Sequence, residues 1–239
     1  MIEVNGKVVM ISGANRGIGL AIARSLYKAG YLLSLGARNV SSLKDIIENS
    51  SDNRILNCHF DAMDKSTHKE WVSNTIDKFN KIDCLINNAG IVESVSVDDQ
   101  EDNEDALDRM WTVNVKAPLS LTRLTLPYLK KSGSGRVVNV ASLAGKAVYG
   151  SSVGYSMTKF AAVALSHATR HGGWDYGVRC TALCPGYVAT DMTSEVESVS
   201  IDSMISPDDL AELVKTVISL SNTASVAELI VNCRPDIVA

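Results

Sequence analysis

Short runs of branched apolar residues alternate along the chain with longer stretches in which apolar positions recur every three or four residues. The first run, over 7–12, carries Val8-Val9-Met10-Ile11 without a polar break, the pattern of a strand buried on both faces. A glycine-rich turn follows, then helical spacing over about 17–29 that stops at Gly30. The same reading predicts further strands at 32–37, 54–60, 83–87, 136–141, 178–184 and 226–232. Helices are predicted at 41–49, 65–79, 106–131, about 155–171 and 207 to about 220, with Pro118 expected to bend the third of these. Ser206-Pro207-Asp208-Asp209 is a helix start: a capping hydroxyl, proline at the first position and acids in the first turn.

Strands alternating with helices, with no repeat, linker or low-complexity tract between them, predict a single α/β domain over 1–239. The expected architecture is a doubly wound, Rossmann-type parallel sheet of about seven strands. Helices cover both faces in a three-layer α/β/α sandwich. Ligands on such sheets gather at the carboxyl ends of the strands, so the chemistry is expected in the residues just after each strand.

Composition agrees and removes other classes. The 239 residues are 46% hydrophobic and 21% charged, with 16 Gly and 5 Pro, which suits a chain with a substantial core and not a disordered one. A net charge of −4 argues against nucleic acid as a partner. Asp98, Asp99, Glu101, Asp102, Glu104, Asp105 and Asp108 supply that imbalance. They are read as a solvated loop and helix start, with docking of a basic partner as the alternative. No apolar run is long enough to span a membrane, and residues 1–7 do not resemble a secretory signal. Five cysteines, odd in number and widely spread, fit reduced thiols in a cytoplasmic protein. Cys180 and Cys184 lack zinc-knuckle spacing. His167 and His171 lack the intervening glutamate of a zinc helix, so no metal is expected.

The turn after the first strand, Ser12-Gly13-Ala14-Asn15-Arg16-Gly17-Ile18-Gly19, places three glycines between a strand and a helix. Without Cβ atoms the backbone can turn tightly and approach a pyrophosphate, whose charge then rests on a helix N-terminus. The second strand ends Leu35-Gly36-Ala37-Arg38, without the acid that holds an NAD ribose. Arg38 and Arg16 suit a 2′-phosphate instead, so NADP(H) is the expected cofactor. Downstream, Tyr155 and Lys159 lie one helical turn apart. A unit charge ~4 Å from a phenol at an effective dielectric of ~20 supplies ~4 kcal/mol, enough to bring its pKa from about 10 to about 7.

With these residues in order, the chain resembles the short-chain dehydrogenase/reductase family, in its single-domain branch, over nearly its whole length. Asn87-Asn88-Ala89-Gly90 after the fourth strand resembles the family's sheet-stabilising motif, and Asp61 follows the third strand, where the family binds adenine. The resemblance implies Asn114, Ser142, Tyr155 and Lys159 as the catalytic set. It implies Gly13, Asn15, Arg16, Gly17, Ile18, Gly19, Arg38, Asp61, Ala62, Asn87, Ala89, Gly90, Tyr155 and Lys159 as cofactor contacts. Pro185, Gly186, Val188 and Thr190 complete them around the nicotinamide. Tyr155 would be general acid or base, Lys159 would lower its pKa and hold the ribose, and Ser142 would orient the substrate oxygen. Asn114 would hold a water linking Lys159 to solvent.

The implied activity is interconversion of a ketone or aldehyde with an alcohol by a homodimer or homotetramer. A mobile substrate lid is expected at about 187–206. Its polar, serine-rich sequence favours a small or polar carbonyl compound. The final strand lacks the glycine-rich segment that many members have there, which blurs the expected tetramer contacts. Two alternatives stand beside this reading: a non-catalytic NADP(H)-binding sensor, and an isomerase, epimerase or dehydratase on the same scaffold.

Overall fold

Seven strands form, and each runs parallel to its neighbours. In the computed structural model, which describes residues 1–43, 53–100 and 102–235, they are β1 (Val8–Ser12), β2 (Leu32–Ala37), β3 (Ile55–His59) and β4 (Cys84–Asn87), followed by β5 (Arg136–Val140), β6 (Arg179–Pro185) and β7 (Glu228–Val231). Their order across the sheet is β3-β2-β1-β4-β5-β6-β7, so the chain reverses its direction of winding between β1 and β4.

Strand side chains alternate between two cores. Val9 and Ile11 of β1 point to one face, where Ala21, Ile22 and Leu26 of α1 (Gly17–Lys28) pack together with Leu210 and Val214 of α6 (Pro207–Ser219). Met10 points to the other face, against Trp71 and Val72 of α2 (Lys65–Phe79) and Leu121 and Leu129 of α4 (Ala117–Lys131). The β6 end of that face is covered by Ala162 and Val163 of α5 (Gly154–Gly173). Every position of β1 is buried, which explains its unbroken apolar run. Gly36 leaves room for Trp71: a Cβ there would lie 2.8 Å from the indole ring, whose Nε1 donates to Ser34 Oγ at 2.8 Å.

Local signals hold at several helix ends. Ser206 accepts from the Asp208 amide and caps α6, and Asp64 accepts from the Ser66 amide at the start of α2. The helical stretch expected at 106–131 forms, running from α3 (Glu104–Trp111) through a π turn at Thr112–Lys116 into α4, so the irregularity expected near Pro118 falls in the turn just before it. One expectation is corrected. Where a helix is expected at 41–49, Val40–Leu43 forms a 3₁₀ turn and the remainder lies outside the described residues.

The acidic segment is a loop leading into α3. Asp99 accepts from the Ser96 amide and from Asn103, while Glu104 and Asp105 occupy the first turn of α3. Glu101 lies outside the described residues. His167 is hydrogen-bonded to Glu228 at 2.7 Å. Among the described residues, no helix is long and apolar enough to cross a membrane.

Candidate active site

The carboxyl ends of the strands open onto one cleft of about 930 Å³, lined from the glycine turn at one end to the 187–206 loop at the other. At the first end, Gly13 and Gly17 adopt φ of +65° and +52°, a region that L side chains avoid. Gly19 has a different role. A Cβ there would lie 2.3 Å from Gly13 O and 2.5 Å from Asn88 Nδ2, so only glycine lets α1 begin so close to the turn. Asn88 holds the turn from below by donating to the carbonyls of Ser12 (2.9 Å) and Gly13 (3.0 Å). Ser12 Oγ accepts in return from the amides of Asn88 and Ala89. No side chain caps α1, so its first amides face the cleft as anion donors.

Beside this turn, Arg38 is exposed at the end of β2, and Asp61, Ala62 and Phe60 follow β3. Thr67 Oγ1 and His68 Nε2 bond the backbone of Asp61, and Asp61 Oδ1 accepts from the Met63 amide at 2.9 Å. Burial holds His68 below the usual histidine range. Arg16 reaches across the cleft mouth to Asp191.

The second end gathers Ser142, Tyr155 and Lys159. Ser142 caps the 3₁₀ turn after β5, with Oγ accepting from the Ala144 amide at 3.1 Å, and it lines the cleft together with Tyr155. Lys159, one turn along α5, donates from Nζ to the Val140 carbonyl at 2.8 Å and lies 5.4 Å from the centroid of the Tyr155 ring. Burial pushes the Lys159 ammonium down to about 8. Burial also pushes the Tyr155 phenol up to about 12, against the smaller opposing effect of the Ser142 hydrogen bond.

Asn114 lies in the π turn, buried. Its Oδ1 accepts from the Ile91 amide, and its Nδ2 donates to the Ile91 carbonyl and to Thr158 Oγ1, all within 3.1 Å. It thereby ties the exit of β4 to α5. Gly90 sits between it and the site: a Cβ there would come 3.3 Å from Asn114 Oδ1 and 3.6 Å from Lys159 Nζ.

Most of the residues expected at the site line the cleft, including Asn15, Ile18, Ala89, Pro185, Gly186, Val188 and Thr190. Asn87, Gly19 and Asn114 do not. Asn87 is buried beneath the sheet end, donating to Asn139 Oδ1 and Thr122 Oγ1. Tyr149 and Arg234 also line the cleft, as do Tyr187, Met192 and Val196 of the expected lid segment. The lid residues make that end more apolar and aromatic than the serine-rich composition suggests. Tyr187 and Arg234 obey a rule legible beforehand, since they follow the carboxyl ends of the last two strands.

The 187–206 loop is closed at its base. Val188 bridges to Ile205, and the Ile205 amide donates to the Tyr187 carbonyl. Thr190 packs on the glycine turn, with Cγ2 lying 3.2 Å from a Cβ built on Gly17.

The family model for short chain dehydrogenases matches residues 7–200. The chain is 44% identical over 229 residues to agropine synthesis reductase of Rhizobium rhizogenes, covering 96% of this chain and 53% of that protein. A second agropine synthesis reductase is covered over 52% of its length, so the chain spans about half of these relatives. It is 32% identical over 240 residues to ketoacyl reductase HetN of a Nostoc species, covering 98% and 82%. Among solved structures, 3-ketoacyl-(acyl-carrier-protein) reductase from Brucella melitensis complexed with NADH superposes with a TM-score of 0.88 at 26% identity, covering 98% and 100%. An alcohol dehydrogenase from Thermococcus sibiricus complexed with 5-hydroxy-NADP gives 0.84 at 30% identity, covering 94% and 95%.

Proposed function

The chain belongs to the short-chain dehydrogenase family, and from that premise we propose that it is an NADP(H)-dependent oxidoreductase that reduces a ketone or aldehyde to an alcohol. The observation that carries this reading is the gathering of Ser142, Tyr155 and Lys159 at one end of a cleft whose other end is an uncapped helix N-terminus behind a glycine turn.

The residues present fit a dinucleotide phosphate. Gly13 and Gly17 keep the turn free of Cβ atoms, the first amides of α1 suit a pyrophosphate, and Asp61 and Ala62 suit an adenine. Arg38, exposed at the rim, matches a 2′-phosphate by its fixed charge and forked donors. Pro185, Gly186, Val188 and Thr190 would face the nicotinamide end, which supplies the hydride when bound.

The chain's own part is proton transfer and orientation. Ser142 Oγ and the Tyr155 phenol, both lining the same end of the cleft, would converge on the substrate oxygen. Tyr155 would donate its proton as negative charge develops there. Lys159 would support the tyrosinate left behind. A cytoplasmic homodimer or homotetramer remains part of this reading.

The test is an absorbance screen of NADPH oxidation against small ketones, aldehydes, diketones and β-keto esters, with Tyr155→Phe as the control. Turnover falling at least about a hundredfold, with the NADPH Kd changed less than about threefold, is the expected result. A variant within tenfold of the wild type would remove Tyr155 from the chemistry. Substrate conversion without net loss of NADPH would favour the isomerase alternative.

A further inference from the structure

Four cations line the cleft: Arg16, Arg38, Lys159 and Arg234. Three are already engaged or have an expected partner. Arg16 is paired with Asp191, Lys159 is hydrogen-bonded to the Val140 carbonyl, and Arg38 stands at the nucleotide end. Arg234 is at the opposite end, just beyond β7. Among the described residues no carboxylate lies within ion-pair distance of it.

Its guanidinium is nonetheless held in place. The Tyr187 ring centroid lies 6.0 Å from its Cζ, and Nη2 donates to the Ser198 carbonyl in the lid at 3.0 Å. The Arg234 amide donates to Asn232 Oδ1 at 3.4 Å. That oxygen is 2.7 Å from where a Cβ on Gly186 would lie, and Leu143 Cδ1 is 3.2 Å from the same point. Leu143 directly follows Ser142. Two residues of extended chain span at most ~7 Å, so Arg234 belongs to the wall of the cleft that also carries Ser142.

A guanidinium has five donors, and Ser198 engages one of Arg234's. A cation oriented by a ring and a carbonyl, with forked donors left over and no acid beside it among the described residues, matches a carboxylate in a bidentate pairing. Building on the proposed carbonyl reduction, we infer that the substrate is a carboxylate-bearing carbonyl compound. Its carbonyl lies at Ser142 and Tyr155, and its carboxylate docks on Arg234 under the lid. Tyr187 and Asn232 flank that docking point, and the hydrogen bond to Ser198 couples it to the lid.

The test uses matched pairs: 4-oxopentanoate and 5-oxohexanoate, each against its methyl ester. Wild-type protein is expected to favour each acid by about tenfold or more in kcat/KM, mostly through KM. In Arg234→Gln that preference collapses to within about threefold, and Arg234→Lys restores part of it. A preference that survives in Arg234→Gln, or that never favours the acids, overturns the inference.

A second readout does not depend on turnover. Pentanoate and pentanamide are titrated into the protein, with and without NADPH, and binding is followed by ligand-observed NMR. Pentanoate is expected to bind more tightly than pentanamide, and only pentanoate should lose affinity in Arg234→Gln. Equal binding of the two overturns the carboxylate site even if carbonyl reduction is found. Selective pentanoate binding without turnover of any carbonyl compound would instead count against the proposed reaction and leave the carboxylate site standing.

Discussion

Arg16 of the glycine turn and Asp191 of the 187–206 loop are joined by an ion pair of 3.1 Å across the mouth of the cleft, with side chains 66% and 75% exposed. A pair so open to water contributes little to stability. It does, however, tie an arginine expected near the nucleotide phosphates to the loop that covers the other end. Asp191→Asn should leave the melting temperature unchanged within about 1 °C. NADPH should bind about two- to fivefold more tightly at low ionic strength, with the gain vanishing in 0.5 M salt. Fluorescence titration of NADPH at the two salt concentrations checks this, and an unchanged Kd would show that Asp191 does not compete for Arg16.

Arg38 offers the direct test of cofactor choice. Arg38→Asp should weaken NADPH binding by about a hundredfold, through loss of a charge-assisted contact and gain of repulsion. NADH binding should hold or improve, because the new carboxylate can accept from a ribose 2′-hydroxyl. Equal losses for the two cofactors, measured by titration of each, would overturn the NADP(H) assignment.

Lys159 carries a pH signature. Its pKa falls from 10.5 when unfolded to about 8 when folded, so between those values the unfolded chain binds more protons. Stability contributed at this residue therefore rises with pH across that window, and the penalty of about 3 kcal/mol is fully present below pH 8. Lys159→Met removes the penalty and also loses the hydrogen bond to Val140, which costs about 1 kcal/mol. The variant should be about 2 kcal/mol more stable than wild type at pH 7, and that advantage should disappear by pH 10.5. Urea denaturation of both proteins across this range measures the difference. Turnover should be lost at every pH.

Gly19 gives a steric prediction. The carbonyl that an added methyl group would meet at 2.3 Å belongs to the backbone of Gly13, which Asn88 holds in place. Gly19→Ala should cost about 2 kcal/mol or more and weaken NADPH binding at least tenfold. Gly30→Ala is the comparison: its φ of +97° strains a side chain although nothing lies within 4 Å of the added methyl, so it should destabilise without affecting NADPH.

The sheet and its two cores were legible because parallel strands covered on both faces leave unbroken apolar runs such as Val8-Val9-Met10-Ile11. The glycine turn, Arg38, Ser142 and Tyr155 were legible by their place after strands or on a helix face. The π turn was not. Residues 112–116 have ordinary helical spacing, and the wider turn shows itself only through Asn114's bonds to the Ile91 backbone in another element. The burial of Tyr155 was also hidden, because spacing reveals the neighbouring ammonium but not the desolvation that pushes the phenol up. The position of Asn87 in its motif likewise did not reveal that its amide turns inward to Asn139 and Thr122.

The reversal of winding between β1 and β4 assigns the two halves of the cleft to different parts of the chain. Loops after β1, β2 and β3 line one rim of the cleft, and those after β5, β6 and β7 line the other. Under the proposed reading the first rim would set the coenzyme and the second the compound reduced, so that an engineer could alter either while keeping the other.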